Sequence, residues 1–89
     1  MATKTLKIEN VKGLHARASA KLVEVVERYD AEAWISKDGM KVSGDSIMGL
    51  LMLAASSGTF IEVETSGAQA EELASAIEAL VASKFGEND

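Results

Sequence analysis

The feature that most constrains the fold is a hydrophobic pattern that switches repeatedly between the period of a strand and that of a helix. Residues 3–9 alternate, with Leu6 and Ile8 on one side and polar side chains on the other, as in a half-buried strand. From Ala16 onward, apolar residues recur at helical spacing. The pattern therefore predicts a helix that runs to about Tyr29.

The remaining segments continue this switching. Residues 31–36 alternate as a second strand, and Asp38-Gly39 is a strong hairpin signal because a tight two-residue turn needs positive φ at its centre. Residues 40–43 form a short third strand. The other predicted elements are a helix with Ser46 as N-cap in a segment closed by Gly58, a strand over residues 60–65, and a last helix marked by Leu73, Ile77, Leu80 and Val81 that frays into the polar tail "GEND".

The order of elements is therefore strand, helix, strand, strand, helix, strand, helix. Each strand has one polar face, so all the helices should pack on the other face of an antiparallel sheet. A chain of 89 residues is long enough for one hydrophobic core and too short for two. We expect a single α+β domain over residues 1–89, with the architecture of an open-faced β-sandwich.

Composition excludes several classes of function. The chain has no cysteine and one histidine, so thiol chemistry is excluded and a zinc site would have to depend on carboxylates. We expect neither a metal nor a cofactor. The net charge of −5 argues against nucleic-acid binding, which needs a basic face. No apolar run reaches the length of a membrane span and the N-terminus lacks the apolar core of a signal peptide, so we expect a cytoplasmic protein without membrane insertion.

The single histidine lies in the stretch "NVKGLHARASAKL", at the predicted start of the first helix. The backbone N–H groups of a first helical turn, here those of Ala16 and Arg17, lack intrahelical partners and form a natural phosphate cradle. The partial positive charge at the N-terminal end of a helix disfavours a charged imidazole and should leave His15 nucleophilic. The Arg17 guanidinium can reach a phosphoryl group on His15, and Gly13 gives a partner an uncluttered approach. This spacing alone does not exclude an ordinary capping histidine beside a solvated arginine.

The second predicted helix is apolar nearly all round. A short helix on one side of a sheet cannot bury every face, so part of the segment "SIMGLLML" should remain exposed, and exposed apolar patches usually mark binding sites. Methionine suits such adaptable surfaces, although Met48 and Met52 could instead belong to the core. Ser46 has a plain interpretation as the N-cap of this helix.

Two motifs, "GLHAR" and "DSIMGLLML", occur together, and on them the whole chain resembles the HPr family, the histidine-containing phosphocarriers of the phosphoenolpyruvate-dependent phosphotransferase system. The resemblance implies an antiparallel sheet of order 1-4-2-3 with three helices on one face. It also implies that Nδ1 of His15 accepts a phosphoryl group from phospho-enzyme I and passes it to an enzyme II A component, with Arg17 orienting the phosphate. Ile47, Met48 and Leu51 would form the partner-docking surface.

The resemblance also assigns Ser46 a regulatory role, because the serine of "SIMG" is phosphorylated by HPr kinase/phosphorylase in families with this signature. The added negative charge would fall on the docking face and weaken binding of enzyme I. Two departures stand out: Ala18 occupies a position where proline is common, and Glu24 and Glu27 lie where many members carry lysine. These changes affect the first turn of the helix and the electrostatics of docking.

Three functions follow as hypotheses. The first is a monomeric phosphocarrier that is a substrate of phosphotransferases and kinases rather than an enzyme. The second is a regulator of the nitrogen-related branch, whose phosphorylation state controls partner proteins instead of sugar uptake. The third is a ligand-binding α+β domain in which His15 has no chemical role.

Overall fold

The structure, a computed structural model, describes residues 1–87; residues 88 and 89 of the expected domain lie outside the described part. Its sheet has four antiparallel strands: β1 (Ala2–Lys7), β2 (Glu32–Lys37), β3 (Met40–Ser43) and β4 (Phe60–Ser66). Their spatial order is β1-β4-β2-β3, which confirms the expected order. The first strand ends at Lys7, before the predicted residue 9, although the Ile8 N–H still donates to the Thr59 carbonyl at 2.8 Å.

The register of the strands places their apolar residues on one face. Leu6 pairs with Ile61 and Ile35 pairs with Val63, and all four side chains are buried. The intervening residues of these strands are polar or exposed, as with the outward-facing Glu62. Because only one face is apolar, only one face can be covered by helices.

Three helices cover that face: α1 (Ala16–Glu27), α2 (Ile47–Met52) and α3 (Ala70–Ala82). Leu22 of α1 and Leu73 and Ile77 of α3 are fully buried in the core that they share with the sheet. The open-faced α+β sandwich is thus confirmed. Within the described residues, no helix is long and apolar enough to cross a bilayer.

Two helices end earlier than the sequence predicts. Helix α1 stops at Glu27 rather than near Tyr29, because the last amides tighten into i→i−3 bonds, with the Arg28 N–H on the Val25 carbonyl at 3.1 Å. Helix α2 stops at Met52, well before Gly58. The chain there closes with a similar bond from the Ala54 N–H to the Leu51 carbonyl at 3.1 Å.

The last helix does not fray directly into the predicted polar tail, of which residues 88 and 89 lie outside the described part of the chain. A 3₁₀ turn follows it at Lys84–Gly86, and Phe85 within this turn is fully buried. Lys84 and Phe85 both have positive φ, at 58° and 57°, so the chain reverses sharply and returns to the core. The Lys21 ammonium of α1 is partly covered and donates to the Phe85 carbonyl at 2.6 Å.

Replacing Phe85 by alanine tests whether this terminal turn belongs to the core. We expect Phe85→Ala to lower the free energy of unfolding by about 3–5 kcal/mol, as for other buried aromatic side chains. Phe60→Ala is the matched control, since Phe60 is 59% exposed and its loss should cost no more than about 0.5 kcal/mol. Urea denaturation measures both. Equal effects would show that the terminal segment does not pack as described.

Candidate functional site

His15 lies directly before α1, as its N-cap residue rather than within the first turn. Its backbone is extended, with φ −79° and ψ −176°, and its carbonyl accepts the first helical bond from the Ser19 N–H at 2.8 Å. The side chain does not cap the helix, and 27% of it is exposed. The ring is therefore accessible to another molecule, while both flanking segments are held by backbone hydrogen bonds.

The loop before His15 is docked on the segment that follows α2. The Leu14 N–H donates to the Ala55 carbonyl at 2.8 Å. Gly13 has φ +68°, and a Cβ there would lie 2.6 Å from the Ala55 oxygen and 2.9 Å from the Ser56 Cα. Glycine is thus required by a close approach within the chain itself, in addition to the access for a partner that the sequence suggested.

The first turn of α1 presents backbone donors beside His15. The first amide of α1 with a helical hydrogen bond is that of Ser19, which donates to the His15 carbonyl. The N–H groups of Ala16, Arg17 and Ala18 therefore have no partner among the described residues. Ala18 thus adds a donor that a proline at this position would lack. Its side chain is fully buried, whereas Ala16 and Arg17 are exposed. Within residues 1–87 the Arg17 guanidinium forms no ion pair, so it is available to an anion.

A carboxylate that sequence reasoning missed contacts the histidine ring. Oε2 of Glu87 forms a very short contact with Nε2 of His15, and only 15% of the Glu87 side chain is exposed. The other carboxylate oxygen, Oε1, accepts a hydrogen bond from Nδ2 of Asn10 at 2.9 Å. The hydrogen bond from Asn10, followed by that from His15, holds the pKa of the Glu87 carboxyl below its ordinary value.

Asn10 is the residue that links this carboxylate to the His15 loop. Its side chain is fully buried, and Nδ2 also donates to the Gly13 carbonyl at 2.8 Å. Its Oδ1 is buried without a hydrogen-bond partner among the described residues. Such an oxygen costs about 1–3 kcal/mol, so this asparagine is not optimised for stability alone. Its amide serves two acceptors, one in the loop and one on Glu87.

The apolar residues of α2 form an exposed patch, which we call the α2 patch: Ile47, Met48, Leu51 and Met52, exposed by 40%, 71%, 36% and 64%. The alternative that Met48 and Met52 belong to the core is therefore wrong. Helix α2 packs against α1, and the Leu14–Ala55 bond ties the chain after α2 to the His15 loop. The α2 patch and His15 thus lie in connected parts of the surface.

Ser46 caps α2, as expected. Its Oγ accepts a hydrogen bond from the Gly49 N–H at 3.1 Å. The neighbouring Asp45 is exposed and accepts a bond from the Ser43 hydroxyl at 2.6 Å. On α1, Glu24 and Glu27 are both exposed, so the acidic residues that depart from the common pattern do face solvent.

Known proteins of similar sequence show the family of this chain. The family model described as "PTS HPr component phosphorylation site" matches residues 2–83. The chain belongs to the HPr family. A phosphocarrier protein HPr of Neisseria meningitidis is 44% identical over 89 residues and fully covered by the alignment, as is this chain. The phosphocarrier protein NPr of Escherichia coli is 41% identical over 85 residues, with 94% of each chain covered.

Solved structures of the HPr family show the same fold. The crystal structure of HPr-C-His from Thermoanaerobacter tengcongensis superposes with a TM-score of 0.95 at 37% identity and covers 100% of both chains. An HPr dimer structure from the same organism has a TM-score of 0.78 at 38% identity, covering 98% of this chain and 100% of that one. His15, Arg17 and Ser46 all lie inside the residues matched by the HPr family model, whereas Glu87 lies beyond them.

The packing of Gly13 against Ala55 can be tested by alanine substitution with an internal control. Gly58 also has positive φ, +88°, but apart from its chain neighbours no atom of the described residues lies within 4 Å of an added Cβ. We expect Gly58→Ala to cost about 1–2 kcal/mol from backbone strain alone. Gly13→Ala should cost about 1–3 kcal/mol more, because its Cβ also collides with backbone. Urea denaturation of both variants measures the difference, and equal costs would contradict the docked loop.

Proposed function

We propose that this HPr-family protein is a phosphocarrier that receives a phosphoryl group on His15 from phospho-enzyme I and passes it to an enzyme II A component. The observation that carries the proposal is a partly exposed histidine at the N-terminal end of a 12-residue helix, beside three backbone amides that have no partner within residues 1–87. The protein is then a substrate of phosphotransferases and kinases, and is itself no enzyme. It requires no metal or cofactor of its own.

In the transfer step, the lone pair of Nδ1 forms a bond to phosphorus while the bond between phosphorus and the donor breaks. The phosphoryl oxygens are received by the amides of Ala16 and Arg17, with the exposed Arg17 guanidinium orienting the group. A helix end favours an anion by about 0.3–1 kcal/mol, and a hydrogen bond to a charged group adds about 1.5–3 kcal/mol. These energies orient a phosphoryl group without retaining it, which suits a carrier.

Successive partners dock on the α2 patch, with Ile47, Met48 and Leu51 as the main contacts. Their exposure and the packing of α2 on α1 support this assignment. The exposed Glu24 and Glu27 make the outer face of α1 acidic, so a partner with basic residues opposite α1 is favoured electrostatically. We propose that the protein acts in the cytoplasm as a monomer, since a carrier must expose one face to each partner in turn.

A second role concerns Ser46, which we propose as a site for HPr kinase/phosphorylase. The hydroxyl is at the edge of the α2 patch and already accepts a backbone hydrogen bond there. A phosphate would bring about −1.5 to −2 charges onto this apolar surface and disfavour docking of enzyme I. Asp45, exposed next to Ser46, opposes the addition of a phosphate there because the charges are alike, and it adds to the negative charge at this point.

An alternative is that the protein serves the nitrogen-related branch, where phosphorylation of His15 controls partner proteins rather than sugar uptake. The chain is 41% identical to the phosphocarrier protein NPr of Escherichia coli, and this similarity supports the alternative. Both roles use the same phosphoryl transfer, so they differ in the partner and not in the chemistry of His15.

The carrier proposal is tested by incubation with labelled phosphoenolpyruvate, magnesium and enzyme I. We expect acid-labile phosphate on the wild-type protein and none on His15→Ala, which lacks the only histidine of the chain. Arg17→Ala should still be labelled, but at a rate lowered by about tenfold or more from the loss of a charged hydrogen bond. Ser46→Ala is the control and should be labelled normally. An unlabelled wild type, or label on His15→Ala, would refute the proposal.

The regulatory proposal for Ser46 is tested with ATP and HPr kinase/phosphorylase. We expect acid-stable phosphate on the wild type and none on Ser46→Ala. We also expect Ser46→Asp to raise the KM for enzyme I, because it places a charge on the docking surface. Ser43→Asp is the matched control, on the strand rather than the patch. Acid-stable label on Ser46→Ala would place the modification elsewhere.

A further inference from the structure

We propose that Glu87 is a positioning residue for His15: its carboxylate accepts the Nε2–H proton and leaves Nδ1 as the nitrogen that carries the lone pair. The consequence for phosphoryl transfer rests on the proposed carrier function. The effect on the ring itself does not, and it can be measured without any phosphate donor. The HPr family model ends at residue 83, before this glutamate.

The choice of nitrogen follows from the chemistry of the two partners. A neutral imidazole has one N–H donor and one acceptor nitrogen, and its tautomer is set by what each nitrogen contacts. An ionised carboxylate can only accept hydrogen bonds. Since Oε2 of Glu87 contacts Nε2 of His15, the proton must reside on Nε2 for this contact to be favourable. Nδ1 is then unprotonated and nucleophilic.

The carboxylate is held in place independently of the histidine. Nδ2 of Asn10 donates to Oε1 of Glu87 at 2.9 Å and to the Gly13 carbonyl at 2.8 Å. Because both contacted atoms are hydrogen-bond acceptors, the nitrogen of the Asn10 amide must face them rather than its oxygen. These contacts therefore fix the orientation of the amide. The buried asparagine thereby joins Glu87 to the same loop that carries His15.

The terminal turn brings Glu87 to this position. Phe85 is fully buried two residues earlier, and its carbonyl accepts a hydrogen bond from the Lys21 ammonium at 2.6 Å. Lys21 belongs to α1, the helix that begins after His15. The segments that carry Glu87 and His15 are therefore both attached to α1, although 72 residues separate these two residues in the sequence.

The same contact matters when a phosphoryl group is attached. As Nδ1 bonds to phosphorus, the ring retains its Nε2–H proton and gains positive charge. A carboxylate on Nε2 stabilises that charge, as the aspartate of a Ser-His-Asp triad stabilises an imidazolium without taking its proton. Glu87 thus favours both the reactive tautomer and the phosphorylated ring, while the phosphoryl group itself is bound on the Nδ1 side.

The test is the tautomer ratio of His15, measured by long-range ¹H–¹⁵N correlation NMR at alkaline pH on protein labelled with ¹⁵N-histidine. We expect the Nε2–H form to dominate in the wild type. Glu87→Gln keeps the size of the side chain, but its amide can donate to Nε2 as well as accept from it. The ratio of Nε2–H to Nδ1–H should therefore fall about tenfold, the value of one hydrogen bond to a charged group.

Glu62→Gln is the matched control, because Glu62 is exposed on the outer face of the sheet and should leave the ratio unchanged. Thermal unfolding shows whether Glu87→Gln remains folded; a merely structural role would change stability and leave the tautomer ratio as it is. An unchanged ratio in folded Glu87→Gln, or a wild type protonated mainly on Nδ1, would overturn the proposal.

A kinetic measurement separates this inference from the carrier proposal. With phospho-enzyme I as donor, Glu87→Gln should lower kcat for phosphoryl acceptance about tenfold and leave the KM for enzyme I unchanged, since Glu87 does not belong to the α2 patch. A changed tautomer ratio in a protein that accepts no phosphate would refute the carrier function and support the positioning role. If Glu87→Gln accepts phosphate normally and its tautomer ratio is unchanged, the carrier function is supported and the positioning role of Glu87 is refuted.

Discussion

One apolar face on a four-stranded sheet determines most of this structure. Because the outer side of the sheet is mainly polar, apart from the exposed Trp34 and Phe60, all three helices cover the same side. Leu14 and Ala18, which flank His15, are both buried in the resulting core. The backbone of His15 is thus fixed by packing on each side, while its ring remains partly exposed. A residue that must react with a second protein needs both properties.

The loop contacts around His15 extend this constraint to the rest of the surface. Gly13 lies so close to Ala55 that the start of α1 and the end of the α2 segment form one unit. A partner that binds the exposed Met48 therefore contacts a surface whose position relative to His15 is fixed. Precise placement of reacting atoms accounts for a large part of the rate of any transfer step, so this rigidity supports the carrier function that we propose.

The sequence was sufficient where local pattern decides the structure. Alternation in the strands and helical spacing in α1 were enough to predict the sheet, its covered face and the position of His15. The sequence was not sufficient where contacts between distant residues determine the structure. The end of α2 depends on how Leu53 enters the core, and nothing local predicts positive φ at Ala54. The phenylalanine before the tail "GEND" was the one available sign that the terminus returns to the core.

Glu87 illustrates the same limit for the site. A glutamate in a polar tail has no local feature that distinguishes it from the other exposed acids of this chain, and Asn10 looks like an ordinary loop residue. Only the burial of Phe85 brings the two together, so the site could be recognised in part from "GLHAR" but could not be completed without the fold. The chemistry that we propose for His15 comes from the resemblance to the HPr family, whereas its contact with Glu87 and the link through Asn10 are seen only in the structure.

The charges around the ring suit reversible transfer. In the transfer that we propose, the α1 amides without a partner among the described residues and the Arg17 guanidinium would favour a phosphoryl group on Nδ1, whereas the Glu87 carboxylate would stabilise the ring through Nε2. That carboxylate also repels the phosphoryl dianion across the ring; at an effective dielectric near that of a protein surface, charges a few ångströms apart interact by about 1–4 kcal/mol. In the proposed function, attraction and repulsion of similar size would oppose each other, so that the phosphoryl group would be held loosely enough to leave even though the Glu87 carboxylate stabilises the charge of the ring.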